Sequence, residues 1–248
     1  MPRIFLPLEE RPETIHIAGE KARYLINVLR SHVGDEIMVL DGKGSSYNAE
    51  ITSVKNRELF ARVKGAVPYD TESKVNIILI QGVLKGERME FLIQKTTELG
   101  VNEILPVTTE RSQLRETRKG PRWKKIAEDA SRQCGRTHVP RIHDLLPFRE
   151  LFAPSSLYAQ YFRNSRGLLF WEEGGMKLTK ARDVLGGCRS LMISIGPEGG
   201  FTKEEAYMAR SRGFLVTSMG NRILRAETAA IAATALVQYV WGDLDTGI

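Results

Sequence analysis

The sequence predicts an α/β protein in which a small β-rich region precedes a larger region of alternating strands and helices. Short β-rich segments crowd the first 68 residues, and a polar stretch beginning at Pro68 follows them. Beyond that stretch, apolar strands alternate with amphipathic helices, a pattern typical of a mainly parallel sheet covered by helices. We therefore place the domain boundary at residue 70, with domains 1–70 and 71–248.

In the first region, short segments rich in β-forming residues predict five strands separated by turn signals, which favour a small β-barrel. These segments are 4–6, 14–17, 36–40, 49–54 and 59–63. A helix at 20–29 interrupts the series, because Ala22, Leu25, Ile26 and Leu29 recur at helical spacing.

In the second region, apolar runs predict strands and 3.6-residue periodicity predicts helices. The strands are 75–80, 103–107, 191–195 and 214–218, and the helices are 88–99, 122–133, 203–212 and 227–241. Thr202 and Glu205 have the spacing of a capping box at the beginning of one of these helices.

Composition excludes several classes of protein. The chain has 248 residues, 42% hydrophobic and 27% charged, which is ordinary for a globular protein. Its opening lacks the apolar core of a signal peptide, and the apolar stretch 226–241 is shorter than the roughly 20 residues of a membrane span. Cys134 and Cys188 lie too far apart in sequence to suggest a disulfide framework. We expect a cytoplasmic protein without a membrane segment.

Positive charge is concentrated in one segment. The net charge is +6, and residues 111–141 alone hold ten Lys or Arg against three acids, a local charge of +7. Such a segment suits the phosphate backbone of a nucleic acid, because each neutralised phosphate releases counterions. A solvated basic surface is the alternative, and a membrane surface is disfavoured because the segment lacks a broad apolar face.

Two glycine-bearing turns each follow a predicted strand. The first is Ile-Gly-Pro-Glu-Gly-Gly-Phe at 195–201, and the second is Met-Gly-Asn-Arg-Ile-Leu-Arg-Ala-Glu-Thr-Ala at 219–229. Because ligands bind beyond the carboxyl ends of parallel strands, both turns are candidates for a ligand site. A tight strand-to-helix connection and a core helix are the alternatives, although the charges of Arg225 and Glu227 argue against the second.

Other signatures of catalytic or nucleotide sites are missing. The sequence has no phosphate-binding P-loop motif, and the glycine-rich 42–47 lacks a third glycine and a following helix, so we expect a hairpin turn there. Cys134 and His138 are too few ligands for zinc, and we expect no metal. Cys134 also has no His or Asp at informative spacing that would make it a nucleophile. The remaining histidines are scattered.

Further blocks accompany the two turns along the chain: 2–5, 28–30, 34–35, 41–42, 81–90, 94–101, 110–112, 122–126 and 133–136. Taken together with the turns, these blocks resemble the ribosomal RNA small-subunit methyltransferase E family of the SPOUT class. The likeness covers nearly the whole chain and is weakest between about 140 and 185. Three positions depart from the family pattern: Met219 replaces Leu, Arg23-Tyr24 stands where His is frequent, and Arg132 replaces an acidic or neutral residue.

The resemblance implies a PUA-like RNA-binding β-barrel over 1–70 and a SPOUT domain over 71–248. In SPOUT domains the last helix passes through a loop and forms a deep trefoil knot. The implied activity, in a homodimer, is transfer of a methyl group from S-adenosylmethionine to N3 of a uridine in 16S ribosomal RNA. The implied cofactor-binding residues are Ile195, Gly196, Pro197, Glu198, Gly199, Gly200, Met219, Gly220, Ile223, Leu224, Thr228 and Ala229.

The implied reaction requires that uridine N3 lose its proton, so the protein needs a general base or a group that stabilises the uridine anion. Arg225 is the candidate for stabilising the anion, and Glu98 and Glu227 are candidate bases, with a structural ion pair to Arg225 or Arg222 as the alternative role for both acids. The candidate phosphate contacts are Arg3, Arg30, Arg111, Arg122 and Arg136.

Two other functions remain open at this point. One is a non-catalytic RNA-binding or ribosome-assembly protein that keeps a methyltransferase shell, and the other is a basic α/β enzyme that uses a different nucleotide. The intact pair of glycine turns argues against a pure binder. The missing phosphate-loop motifs argue against the second enzyme.

Overall fold

The computed structural model describes residues 1–8, 12–68, 71–153 and 156–245, without the side chain of Arg163. The chain divides into two compact units. One comprises Met1–Glu72 and Ser131–Val139, and the other comprises Ser73–Ala130 and Pro140–Ile248. The return of 131–139 to the first unit is a feature that the boundary drawn from the sequence did not include.

The first unit is built on a five-stranded mixed sheet. Its strands are β1 Arg3–Phe5, β2 Thr14–Ile17, β3 Glu36–Leu40, β4 Ser46–Lys55 and β5 Glu58–Ala66, in the spatial order β1-β3-β4-β5-β2. Strand β1 pairs with β3 in parallel and the other neighbours are antiparallel. Alternate side chains such as Ile15, Ile17 and Ile37 are buried in one apolar cluster. This curled sheet confirms the predicted β-rich first domain.

The local features predicted for this unit are present. Helix α1, Gly19–Arg23, continues as a π-helical turn over Tyr24–Val28, and this turn carries Leu25 into the core. The hairpin expected near 42 joins β3 to β4, and the Asp41 carboxylate accepts the backbone N–H groups of Lys43 (2.7 Å) and Ser45 (2.9 Å).

The second unit contains an eight-stranded sheet in which every pair of neighbours is parallel, which confirms the predicted arrangement. The strands are β6 Asn76–Gly82, β7 Glu103–Thr108, β8 Arg141–Ile142, β9 Leu146–Pro147, β10 Arg166–Phe170, β11 Met176–Lys177, β12 Ser190–Ile195 and β13 Phe214–Ser218. Their order is β11-β13-β10-β12-β6-β7-β8, with β9 also beside β7. Strands β6 and β12 lie in the middle and are almost wholly buried, because both faces of a parallel sheet are covered.

Apart from α1, the described part of the chain contains the helices α2 Arg88–Glu98, α3 Gly120–Cys134, α4 Phe148–Leu151, α5 Ala159–Asn164, α6 Leu178–Leu185, α7 Lys203–Ser211 and α8 Ala226–Trp241. Helix α8 lies against α2 and β12. Gln238 fixes α8 there, because its amide donates to the Leu99 carbonyl (2.9 Å) and accepts from the Ser73 hydroxyl (2.7 Å). The passage of α8 through a loop stays a prediction of the resemblance. Each helix in the described part of the chain is too short or too polar to span a bilayer.

Candidate active site

A cavity of about 290 Å³ opens where the neighbouring strands β10, β12 and β13 end. The turns after β12 and β13 and the beginning of α8 form most of its wall. The lining includes these residues from the predicted cofactor set: Ile195, Gly196, Pro197, Glu198, Gly200, Met219, Gly220, Ile223, Leu224 and Ala229. The structure thus brings together two turns that are about 20 residues apart in sequence. Gly199 and Thr228 lie outside the lining.

Sequence reasoning missed a third wall of this cavity. Phe170, Trp171 and Glu172 follow β10, and Arg88 reaches the cavity from the beginning of α2. A continuous apolar run, Gly-Leu-Leu-Phe at 167–170, was the available signal for β10. The strand places Trp171 at the same edge of the sheet as the two glycine turns.

The turn after β12, here called the clamped turn (residues 196–202), is held by side chains from other segments. The Arg111 guanidinium donates to the carbonyls of Gly199 (3.1 Å) and Phe201 (3.4 Å). The Lys85 backbone N–H donates to the Glu198 carboxylate at 3.0 Å, and Arg88 lies 3.5 Å from the same oxygen. The turn is therefore tied both to the segment after β7 and to the segment before α2.

Glu205 adds a third attachment and completes the capping box that the sequence predicts. Its N–H donates to the Thr202 hydroxyl (3.2 Å), and its carboxylate accepts the Thr202 N–H (3.0 Å). The second carboxylate oxygen accepts the Glu110 N–H at 2.9 Å. Because Glu205 is 1% exposed, both oxygens are desolvated, and these bonds compensate for the loss of water.

Two glycines in this region allow close approaches that a side chain would prevent. A Cβ on Gly82, at the end of β6, would overlap the backbone nitrogen of Pro197. Gly200 has φ +70°, and a Cβ there would overlap the carboxylate of Glu172. The need for glycine at 200 therefore has two physical reasons, left-handed backbone and lack of space.

The turn after β13, here called the open turn (residues 219–225), is held much less. The Gly220 backbone N–H donates to the Ser218 hydroxyl at 3.3 Å, and the Arg225 backbone carbonyl accepts the Ala229 N–H at the beginning of α8. Ile223 is 86% exposed although it is a large apolar residue that lines the cavity. An apolar side chain left in water beside a cavity is a candidate for contact with a ligand.

Two of the three candidate catalytic side chains lie at this cavity. Arg225 is the exposed N-cap residue of α8, and Glu227 is in the first turn of the same helix. The Oε2 atom of Glu227 is buried and has no hydrogen-bond partner among the described residues. Such an atom is costly unless a ligand or water donates to it.

Glu98 lies elsewhere. It is outside the cavity lining and forms an ion pair with Lys95 at 2.8 Å, one turn before it on α2. Arg88, ten residues earlier on this helix, does line the cavity, so Glu98 is about 15 Å further along the helix axis. The ion pair that the sequence left open as an alternative was with Arg225 or Arg222, whereas the partner of Glu98 in the structure is Lys95, away from the cavity.

The five arginines expected to contact phosphate fall into different environments. Arg30 is exposed, Arg3 is half-buried on β1, and Arg111 donates to the clamped turn. Arg122 is exposed and donates to Glu90 at 2.7 Å, while Lys119 approaches the other oxygen at 3.1 Å. The hydrogen bond from Arg122, followed by that from Lys119, holds the pKa of Glu90 below its usual value.

Arg136 requires a correction. It is 3% exposed, and its guanidinium forms an ion pair with Glu72 at 2.6 Å within the first unit. Burial alone would raise the pKa of Glu72, but the hydrogen bond and the charge of Arg136 outweigh it and lower that pKa. A guanidinium enclosed in this way has no face for a phosphate, so we remove Arg136 from the candidate RNA contacts.

No group of three or more His, Cys, Asp or Glu side chains in the described ranges is arranged to hold a metal ion. The same part of the chain contains Cys134 and Cys188 as free thiols. Cys134 donates weakly to the Ser131 carbonyl at 3.6 Å. The polar side chains that line the cavity are carboxylates (Glu172, Glu198, Glu227), guanidinium groups (Arg88, Arg222, Arg225), the hydroxyl of Ser218 and the indole of Trp171.

Two family models match the chain. The RNA methyltransferase domain model matches residues 71–238, and the RNA methyltransferase PUA domain model matches residues 17–64. Ribosomal RNA small subunit methyltransferase E of Bacillus subtilis (strain 168) is 30% identical over 96% of this chain and 96% of its own. The enzyme of that name from Buchnera aphidicola subsp. Acyrthosiphon pisum is 27% identical over 98% of this chain and 95% of its own.

Solved structures agree with these matches. The crystal structure of a ribosomal RNA small subunit methyltransferase E from Neisseria gonorrhoeae, bound to S-adenosyl methionine, has a TM-score of 0.87 and 35% identity, covering 98% of this chain and 99% of that one. A putative methyltransferase from Legionella pneumophila, in complex with the same cofactor, has a TM-score of 0.85 and 32% identity, covering 98% of both chains.

Proposed function

We propose a function from the premise that this chain belongs to the ribosomal RNA small subunit methyltransferase E family. The proposed reaction is transfer of a methyl group from S-adenosylmethionine to N3 of a uridine in 16S ribosomal RNA. The observation that carries the proposal is the cavity between the clamped turn and the open turn, with Arg225 and Glu227 at its edge. Relatives bound to S-adenosylmethionine support the choice of cofactor.

The cavity lining fits this cofactor. A volume of about 290 Å³ is near the lower end of small-molecule sites. Ile195, Ile223 and Leu224 offer apolar contact for a flat base. The Oε2 atom of Glu198 is buried without a partner in the described part of the chain, so it would accept a hydrogen bond from a hydroxyl or ammonium group of the cofactor.

The bound cofactor supplies a methyl group on a sulfonium, which is electrophilic without further activation. The protein has to take the N3 proton of uridine and hold the nucleophile in line. Glu227 accepts that proton in our assignment, because it lines the cavity and its carboxylate has an oxygen without a partner among the described residues. Arg225 stabilises the negative charge that develops on the uridine ring.

Exposed arginines outside the cavity are assigned to the RNA backbone. Arg3, Arg30 and Arg122 keep this role, since Arg30 and Arg122 are exposed and Arg3 is half-buried. Arg122 shares Glu90 with Lys119, so the three groups together retain one positive charge. We reassign Arg111 from the RNA to the clamped turn, because its guanidinium donates to the Gly199 carbonyl. Gly199 thus helps to fix the turn through this hydrogen bond.

We further propose that the protein works as a homodimer in the cytoplasm and without a metal ion. The apolar side chains Leu236 (39% exposed) and Tyr239 (58% exposed) on α8 offer surface that a second copy would cover. Displacement at a sulfonium carbon needs no Lewis acid. We propose the cytoplasm as the protein's compartment because the proposed substrate is ribosomal RNA.

The deciding experiment is methyl transfer from labelled S-adenosylmethionine to small ribosomal subunits that lack the modification, with the labelled nucleotide then mapped. We expect one labelled 3-methyluridine in 16S RNA. Label on another base, or no transfer, would refute the assignment. Calorimetric titration with S-adenosylmethionine tests the rival, since a non-catalytic RNA-binding protein would give no heat of cofactor binding.

A further inference from the structure

A second cavity, of about 600 Å³, lies between helix α7, strand β13 and the segment that follows β10. We call it the aromatic groove; its lining includes Trp171, Glu173, Met176, Tyr207, Arg210 and Val216. Trp171 lines the proposed active site as well. The two cavities therefore share a wall, and a polymer that enters one is within reach of the other.

The groove is preformed by contacts on the segment after β10. The Trp171 indole N–H donates to the Phe201 carbonyl at 3.3 Å, and its backbone N–H donates to the Thr217 carbonyl at 3.1 Å. A Cβ on Gly175 would lie 2.8 Å from the backbone of Val216 and Thr217, so the segment packs directly on β13. These contacts fix the indole in position at the boundary of the two cavities.

Tyr207 contributes little to the packing of its own helix. The buried side of α7 consists of Glu205, Ala206 and Ala209, whereas Tyr207 is 62% exposed. An exposed tyrosine in the lining of a groove offers a flat π-face with a polar tip. Such faces are the platforms on which proteins stack unpaired nucleobases, and stacking tolerates any base.

The charge of the groove suits a phosphate. Glu173 and Arg210 are the charged residues of its lining in the described part of the chain. Lys203 lies 3.8 Å from Glu173 and offsets that negative charge. Arg210 forms no ion pair among the described residues, so its guanidinium remains available for a phosphate oxygen.

We propose that the aromatic groove binds a nucleotide adjacent to the methylated uridine, with its base against Tyr207 and Trp171 and its phosphate near Arg210. This inference rests on the proposed function, because only a polynucleotide substrate would extend from the first cavity to the second. The groove thereby separates the neighbouring base from its stack and leaves the target uridine accessible to the active site.

Tyr207→Ala tests the groove, with Phe91→Ala as the control, since Phe91 is an exposed aromatic residue on α2 (48% exposed against 62% for Tyr207) outside both cavities. Tyr207→Ala should raise the KM for small ribosomal subunits about tenfold, in line with the loss of one stacked base. The kcat and the Kd for S-adenosylmethionine should stay within about twofold of wild type. Tyr207→Phe should restore the KM, because it keeps the ring, and Phe91→Ala should leave it unchanged.

A second measurement follows the binding of a short fluorescein-labelled oligouridine by anisotropy and does not need turnover. Weaker binding by Tyr207→Ala and by Arg210→Ala, but not by Phe91→Ala, supports the groove even if wild-type protein transfers no methyl group, an outcome that would refute the proposed function alone. Equal KM and equal anisotropy for Tyr207→Ala and Phe91→Ala would overturn the groove proposal. A change in cofactor Kd or in sedimentation with Tyr207→Ala would overturn it too, by assigning the residue to the cofactor site or to a second copy.

Discussion

The clamped turn and the open turn lie in the same order of elements, each between a strand and a helix and each containing glycine. They differ in how many hydrogen bonds from other segments hold them. Arg111, Lys85 and Glu205 all bind the clamped turn or the residues next to it. The hydrogen bonds of the open turn within the described chain run to its own sequence neighbours. The comparison indicates that one side of the cavity is preorganised and the other can adapt to a ligand.

This difference also divides the chemistry between the two turns. The clamped turn contributes mainly backbone and a carboxylate, which suit a ligand of constant shape. The open turn ends at Arg225, and Glu227 follows in the first turn of α8; these two are the groups assigned to the reacting base. Substitutions of Arg225 and Glu227 should therefore mainly affect turnover, and substitutions around the clamped turn should mainly affect cofactor affinity.

The largest expected effect is that of Arg225→Ala on turnover. Removing a donor that stabilises charge in the transition state typically lowers kcat by about 10²- to 10³-fold. Because Arg225 is exposed and caps α8 with its backbone, the fold and the Kd for S-adenosylmethionine should change little. Steady-state methyl transfer and calorimetry measure the two quantities.

Arg222→Ala is the matched control, since Arg222 is also an exposed arginine of the open turn that lines the cavity. It should keep most of the turnover. Equal losses for the two variants would mean that the open turn contributes general positive charge and that Arg225 has no specific role.

Gly200→Ala and Gly220→Ala compare the two turns directly and should give an intermediate effect. Both glycines have positive φ, +70° and +104°, so each substitution adds about 1–2 kcal/mol of backbone strain. At Gly220 a Cβ meets open space, whereas at Gly200 it collides with the Glu172 carboxylate. We expect the cofactor Kd to rise roughly tenfold more for Gly200→Ala, because only this variant must also displace a side chain.

Calorimetric Kd values decide this comparison, and thermal unfolding of both variants checks that each remains folded. If Gly220→Ala lost as much affinity as Gly200→Ala, the open turn would be as constrained as the clamped turn, and the contrast between them would be wrong.

The smallest effect is expected for Arg111→Ala. It removes two hydrogen bonds to the clamped turn from an exposed side chain, so the cofactor Kd should rise about fivefold, equivalent to about 1 kcal/mol. Arg122→Ala should leave this Kd unchanged. It should instead lower the slope of the logarithm of RNA affinity against the logarithm of salt concentration by about one, which corresponds to the loss of one phosphate contact. The opposite result, with RNA binding weakened by Arg111→Ala and cofactor binding intact, would return Arg111 to the RNA contacts.

Much of the fold could be predicted from the sequence because the central elements are long and regular. Strands β6 and β12 are apolar runs with clear boundaries, and the Thr202–Glu205 capping box marks the beginning of α7. Between 134 and 190 several elements are too short for periodicity to identify them, although the apolar run of β10 was a usable signal. Strand β8 has two residues and helix α4 has four.

The site could be predicted only where its residues are contiguous. The two turns are local motifs, so their residues were identified together. Trp171 and Arg88 reach the same cavity through the order of strands in the sheet, which no local pattern records. Counting charge also could not separate solvated arginines from Arg136, whose partner Glu72 is 64 residues away in sequence.

Trp171 gives the molecule a built-in optical reporter, since its indole forms part of the wall of both cavities. Of the three tryptophans, Trp123 is sealed in the core at 1% exposure, so ligands should scarcely alter its emission. In a Trp241→Phe background, the colour and intensity of the remaining fluorescence would follow the solvent around Trp171. Stopped-flow traces could then reveal the sequence in which small molecule and polynucleotide arrive, without any attached dye.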